Sequence, residues 1–144
     1  MIKEKMNKSF FSHIAWNSYL HAIKVVLDKE WSGSDIDFIG KKDPHYKGFC
    51  LTRDLKDEEC LQDSDWLVLN LDVPSGSGTH WVGIKKLDNE TLFYFDSFAI
   101  APPTSVSDFI NRHKGIRFIQ YNSIPFQLLD EKLCGPYVIS NLMN

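Results

Sequence analysis

Cys134 stands directly before Gly135 and Pro136, at the head of a segment, GPYVISNLMN, with helical character. Proline is tolerated in the first turn of a helix, where its missing N–H is not needed. The pattern therefore sets a thiol at a helix N-terminus. There the positive end of the helix dipole and the unpaired N–H groups stabilise a thiolate, which is the nucleophilic form of cysteine. A thiolate that attacks a carbonyl needs a partner to carry protons, and His80 in GTHWVGI is the candidate. Acyl transfer also needs donors for the oxyanion that develops. The Cys134 backbone N–H is one candidate. The side-chain amide of Gln127, seven residues upstream of Cys134, is another. Each residue also has a plainer reading. A histidine beside a tryptophan can simply pack, most cysteines outside disulfides are small buried hydrophobes, and most glutamines lie on the surface.

Spacing supplies His80 with a carboxylate. WVGIKKL (81–87) and TLFYFDSF (91–98) read as strands, and Asp88-Asn89-Glu90 between them is turn chemistry. A hairpin centred on Asp88–Asn89 puts His80 opposite Asp96 or Ser97, at its open end. A carboxylate there fixes the tautomer of the imidazole and stabilises its charged form.

The elements that must hold these groups follow from periodicity. Residues 10–31 carry an apolar stripe at helical spacing, with Ser9 or Ser12 as cap and Gly33 as stop. A short segment around Ile36–Ile39 follows. GKKDPHYKGFC (40–50), punctuated by Gly40, Pro44 and Gly48, reads as a loop. The acidic stretch from Asp54 to Asp65 reads as solvated surface. WLVLNLDV (66–73) is short, continuous and apolar, as a buried central strand is. The run Ser75-Gly76-Ser77-Gly78 before His80 reads either as an ordinary connection or as a rim where small residues let a peptide backbone approach. In the second reading Ser77 and Gly78 contact substrate. After Pro102-Pro103, residues 105–113 read as a short helix and GIRFIQYN (115–122) as a further strand. The expectation is one α+β domain over residues 1–144. It comprises an N-terminal helix, a mostly antiparallel sheet of about four or five strands, and a C-terminal helix that carries the thiol.

Composition fits a folded catalyst or binding module. The chain has 144 residues, 43% hydrophobic and 13% aromatic, enough for a sizeable core. Its net charge of −3 argues against a protein that lives on nucleic acid, although a local basic patch stays open. No apolar run approaches the roughly 20 residues of a membrane span. MIKEKMNKSFF lacks the apolar core of a signal peptide. The three cysteines, Cys50, Cys60 and Cys134, cannot complete a disulfide framework and fit a reducing compartment. Cys50 and Cys60 are ten apart with no second ligand pair nearby, so no metal site is expected.

In order, GTHWVGI, LFYFDSF and a glutamine seven residues before Cys-Gly form a set that resembles the adenovirus-type maturation cysteine proteases. These are adenain and its relatives in virophages and polinton-like viruses, in the clan of the SUMO- and ubiquitin-like-protein proteases. The resemblance runs over about residues 36–142 and includes KDPHYKGFCLTRDL before the first strand. The glycine-containing run before His80 and the proline pair after DSFAIA are most similar to the virophage and polinton branch. Where many relatives have glycine after the motif's phenylalanine, this chain has Ala99.

The resemblance implies a papain-like, adenain-like fold. It makes Cys134 the nucleophile, His80 the base, Asp96 the orienting acid and Gln127 the oxyanion donor. Trp81 is then expected over the floor of the site, or as a plain core aromatic, and Gly135 on the substrate side. The implied activity is cleavage of capsid or core precursors at glycine-containing sites during virion maturation, by a monomer in the virion and in viral factories of the host cytoplasm. Adenain is activated by a disulfide-linked peptide and by DNA. No partner cysteine is assigned for such a peptide: Cys50 and Cys60 are candidates or, more simply, solvated or buried bystanders, and the negative net charge gives DNA no support. Two other readings keep the fold: an isopeptidase for a ubiquitin-like modifier, with the acidic stretch as exosite, and a non-catalytic capsid-binding module.

Overall fold

The computed structural model describes residues 31–55, 61–72, 79–127 and 133–144. The helix expected over residues 10–31 lies outside them except for Trp31, and so do Cys60, Ser77 and Gly78. Five strands form one sheet in chain order: β1 (Tyr46–Leu51), β2 (Trp66–Asp72), β3 (Thr79–Lys86), β4 (Thr91–Phe95) and β5 (Phe118–Tyr121). Among the described residues the α-helices are α1 (Gly33–Gly40), α2 (Thr104–Arg112) and α3 (Cys134–Leu142). The architecture is α+β, as expected. The sheet is mixed: β2, β3 and β4 pair antiparallel, while β1 and β5 join the edges in parallel.

Two readings of the segment before β2 change. Gly33, expected as the stop of a preceding helix, is the first residue of α1. Ser32 caps α1, accepting from the Asp35 N–H while the Asp35 carboxylate takes the Ser32 N–H, a reciprocal pair that satisfies two helix-start donors. Tyr46–Leu51 is a strand, where a loop was expected. Its register against β2 shifts between Tyr46 and Phe49, and Gly48 there has φ +102°. The glycine makes a bulge inside an edge strand, which reads from sequence like a turn.

Alternation along the strands builds a core on each face. Trp66 and Val68 pack with α1 and α3, while Leu67 and Leu69 pack with α2. Covered on both sides, β2 must be apolar throughout, as WLVL is. On the α2 face, Val106, Phe109 and Ile110 form the buried stripe at helical spacing. The acidic stretch ends in a buried residue, not a solvated one. Asp65 is 3% exposed and bonds the His45 ring at 3.0 Å and the Gln62 N–H at 2.9 Å.

Helix α3 runs along β3 in the same direction, and the sequence shows why it can lie so close. A methyl group on Gly83 would clash with Leu142 Cδ1 and come within 2.9 Å of Val138 Cγ1. Only glycine lets the helix cross the strand at this separation. The far end of α3 is tied down by Lys85, whose Nζ donates to the Leu142 carbonyl at 2.9 Å. A cation on the last carbonyls suits the negative end of the helix dipole. Asn144 is held by buried Asp43, which accepts its N–H at 2.8 Å and the Trp66 indole N–H at 2.9 Å. Burial alone would push the Asp43 carboxyl up. The N–H groups of Asn144 and His45 and the Trp66 indole outweigh it and hold the group below its ordinary value. With its C-terminal end fixed beside Gly83 and Lys85, α3 delivers its first residue, Cys134, to the end of β3 that begins with Thr79 and His80.

Candidate active site

The β3–β4 ladder pairs Gly83 with Phe95 and Lys86 with Leu92, so the hairpin centres on Asn89. The expected centre falls one step earlier. Extended to the open end, the observed register carries His80 opposite Phe98, not Asp96 or Ser97. The ladder itself stops at Phe95, and Asp96 is the first residue past it, at the start of a turn. His80 Nε2 lies 2.9 Å from Asp96 Oδ1, so the expected partner is correct although the register is not. Phe98, in the turn after β4, lies over the imidazole, ring centroids 5.1 Å apart and planes 31° from parallel.

The imidazole also hydrogen-bonds the side chain of Cys134. With Nε2 committed to Asp96, Nδ1 is the ring nitrogen for the sulfur. Asp96 is almost fully buried and the His80 side chain is 16% exposed. Burial by itself would lower the histidine's affinity for a proton. The hydrogen bonds to Asp96 and Cys134, and their charges, outweigh it and raise His80 to about 9. At neutral pH the ring is therefore an imidazolium that donates on both sides. The Cys134 sulfur at the start of α3 is thus within reach of a ring that can carry protons for it.

Asp96 is held as firmly as it holds. β4 ends at Phe95, and the chain turns with the Ala99 N–H donating to the Asp96 carbonyl at 2.8 Å. The same Oδ1 that receives His80 also accepts the Phe98 N–H at 2.8 Å. Asn122, just past the end of β5, clamps the Asp96 backbone from the other side. Its Oδ1 accepts the Asp96 N–H at 3.0 Å and its Nδ2 donates to the Asp96 carbonyl at 2.6 Å. The turn brings Ala99 to φ +58°, where a Cβ costs about 1 kcal/mol. Glycine in that place is relieved of this strain, which gives the Ala99 departure its physical meaning. Tyr94 lies wholly buried nearby, and burial together with the Asp96 charge keeps its hydroxyl protonated.

Gln127 is buried at 7% exposure, unlike a surface glutamine. Its Oε1 accepts from Ser97 Oγ at 2.6 Å. The Phe126 and Gln127 N–H groups both point to the Ser97 carbonyl, at 2.8 and 3.4 Å. Phe126 stacks edge-on against Phe95 at 5.3 Å. Gln127 is thus strapped to the residue that follows Asp96.

The structure brings together His80, Asp96 and Cys134, with Gln127 joined to the same turn. Trp81 and Gly135, expected as substrate contacts, are both buried. The Trp81 indole donates to the Trp31 carbonyl at 3.2 Å and meets Phe49 edge-on. A methyl group on Gly135 would come within 3.0 Å of Trp31 Cβ and 3.6 Å of Trp81 Cδ1. These two residues form the floor that seats the start of α3. Asn122 and Phe98 were not singled out in the sequence, and Ser97 was only an alternative partner for His80. The one available signal was the hairpin count, which pointed to Asp96 or Ser97 but not to Phe98 or Asn122.

Among the described residues no group of three potential ligands could hold a metal ion, and no helix is long and apolar enough to cross a membrane. No family model matches the chain, and no curated protein does. Among solved structures, two crystal structures of the ASFV pS273R protease are similar. The selenomethionine form shares 24% identity at TM-score 0.39, over 51% of this chain and 32% of that one. The other shares 20% identity at TM-score 0.38, over 51% and 30%. The match spans about a third of the length of those protease chains.

Proposed function

We propose that the chain is a cysteine endopeptidase of the adenain type, working on capsid or core precursors. The observation that carries this reading is one imidazole held between a buried carboxylate and a thiol at a helix start. The Cys134 thiolate attacks the scissile carbonyl, and the negative charge passes to the carbonyl oxygen. The Gln127 amide and the Cys134 N–H stabilise that oxyanion. The His80 imidazolium then gives its proton to the leaving amine, and a thioester forms on Cys134. Neutral His80 next takes a proton from water, which attacks the thioester. The acid product leaves, and thiolate and imidazolium are restored. Asp96 keeps Nε2–H oriented throughout and does not itself change protonation.

The finer parts of the reading rest on the resemblance of GTHWVGI, LFYFDSF and Q-x6-CG to the viral proteases. They are a preference for glycine-containing sites, a role in virion maturation, affinity with the virophage and polinton branch, and action as a monomer in the virion and the viral factory. An activating peptide belongs to the same set. Incubation with a coat-protein precursor should give fragments whose new termini map to glycine-containing sites, identified by mass spectrometry. Release of a ubiquitin-like modifier from an isopeptide conjugate, with the precursor left intact, would replace the substrate class. Turnover of neither would overturn the enzymatic reading.

A further inference from the structure

The oxyanion donor and the orienting acid are expected as separate residues 31 positions apart, yet the structure joins them through one side chain. Ser97 is 0% exposed. It follows Asp96 directly, its hydroxyl donates to Gln127 Oε1 at 2.6 Å, and its carbonyl accepts the Phe126 and Gln127 N–H groups. A carboxamide has one accepting and one donating end, and only the Nε2 end can stabilise an oxyanion. With Oε1 turned to the reaction, the same side chain would repel the developing charge. We propose that Ser97 is a positioning residue that sets the Gln127 amide with its acceptor toward the 96–98 turn and its donor toward the reacting carbonyl. This rests on the reading of Gln127 as oxyanion donor. Because Asp96 and Ser97 are consecutive in a turn clamped by Asn122, the geometry of proton transfer and that of charge stabilisation are set by one local structure.

A buried serine that only fills space would affect folding and not the chemical step. The test is a double-mutant cycle, read as kcat and KM on a fluorogenic peptide that the unmodified protein cleaves. Ser97→Ala should lower kcat about 10-fold with KM nearly unchanged, less than the 10²–10³-fold typical of removing an oxyanion donor outright. In a Gln127→Ala background, Ser97→Ala should have no further effect, because the group it acts through is gone. Ser97→Cys retains the size with a weaker donor and should fall between. It serves in the same cycle if Ser97→Ala does not fold. An equal loss from the Ser97 change in both backgrounds would overturn the proposal. So would full activity of the Ser97 variants while Gln127→Ala is impaired, and in that case the oxyanion assignment would stand. Full activity of Gln127→Ala would overturn both together.

Discussion

Cys134→Ala should lower kcat/KM by about 10⁴-fold or more, on the scale seen when the nucleophile of an acyl-transfer triad is removed. The expectation has a structural basis beyond the identity of the residue. Helix α3 is pinned at its C-terminal end by Lys85 and lies on Gly83, so Cys134 has no freedom to be replaced by a neighbouring nucleophile. Alanine retains the Cβ and removes only the sulfur, so the fold should persist, which circular dichroism would check. Cys50→Ala is the control and should retain activity, because Cys50 sits on β1 opposite Leu69 and outside the His80 cluster. Cleavage that survives in Cys134→Ala would mean that the thiol is not the nucleophile.

The second large effect lies at Asp96. His80 is raised to about 9, and in the proposed mechanism its imidazolium protonates the leaving amine. Thus kcat/KM should fall as pH rises through about 9. Asp96→Asn removes the charge that helps hold the proton on. The alkaline limb should move down toward the ordinary histidine value of about 6.5, with a loss of about 10²- to 10⁴-fold at neutral pH. The sign is fixed by linkage. A raised histidine stabilises the folded site fully below its unfolded value, and that contribution disappears as pH rises through its folded value. An unmoved alkaline limb in Asp96→Asn would separate the carboxylate from the titration that governs activity.

The chemistry-bearing residues were legible because each sits in a strong local pattern. WLVL had to be a doubly covered strand, the Asp88–Glu90 turn had to make a hairpin, and Cys-Gly-Pro had to open a helix. Those patterns placed His80 near Asp96 even with the hairpin centre one step off. Asp96, one residue past the end of β4, is still within reach of the His80 side chain. The edge strand β1 was not legible, because Pro44 and Gly48 punctuate it like a loop and its partner is a parallel strand remote in sequence. Parallel pairing leaves no short turn to read. Buried Asp65 was hidden for a related reason. Within an acidic stretch only its tertiary partners, His45 and the Gln62 N–H, distinguish it from a solvated carboxylate.

The supporting residues were least legible. Asn122 reaches Asp96 across 26 positions and Ser97 reaches Gln127 across 30. Neither contact has a periodicity, and serine and asparagine near a turn usually bond their own backbone. Only the packing of β5 beside β4 brings Asn122 to the turn. Trp81 shows the converse. Expected over the floor of the site or as a plain core aromatic, it is a core residue, sent by strand alternation under the start of α3.

The central claim is that the imidazole activates one particular thiol, and the rate of alkylation tests it without a substrate. The protein is treated with iodoacetamide at pH 6 and the modified cysteines are followed by mass spectrometry, in the unmodified chain and in His80→Ala. Cys134 is buried and Cys50 half-buried, so accessibility alone favours Cys50. The account predicts the reverse order: Cys134 reacts well before Cys50 and Cys60, and loses that lead in His80→Ala. Equal rates at the three thiols, or a lead that survives the loss of His80, would contradict it.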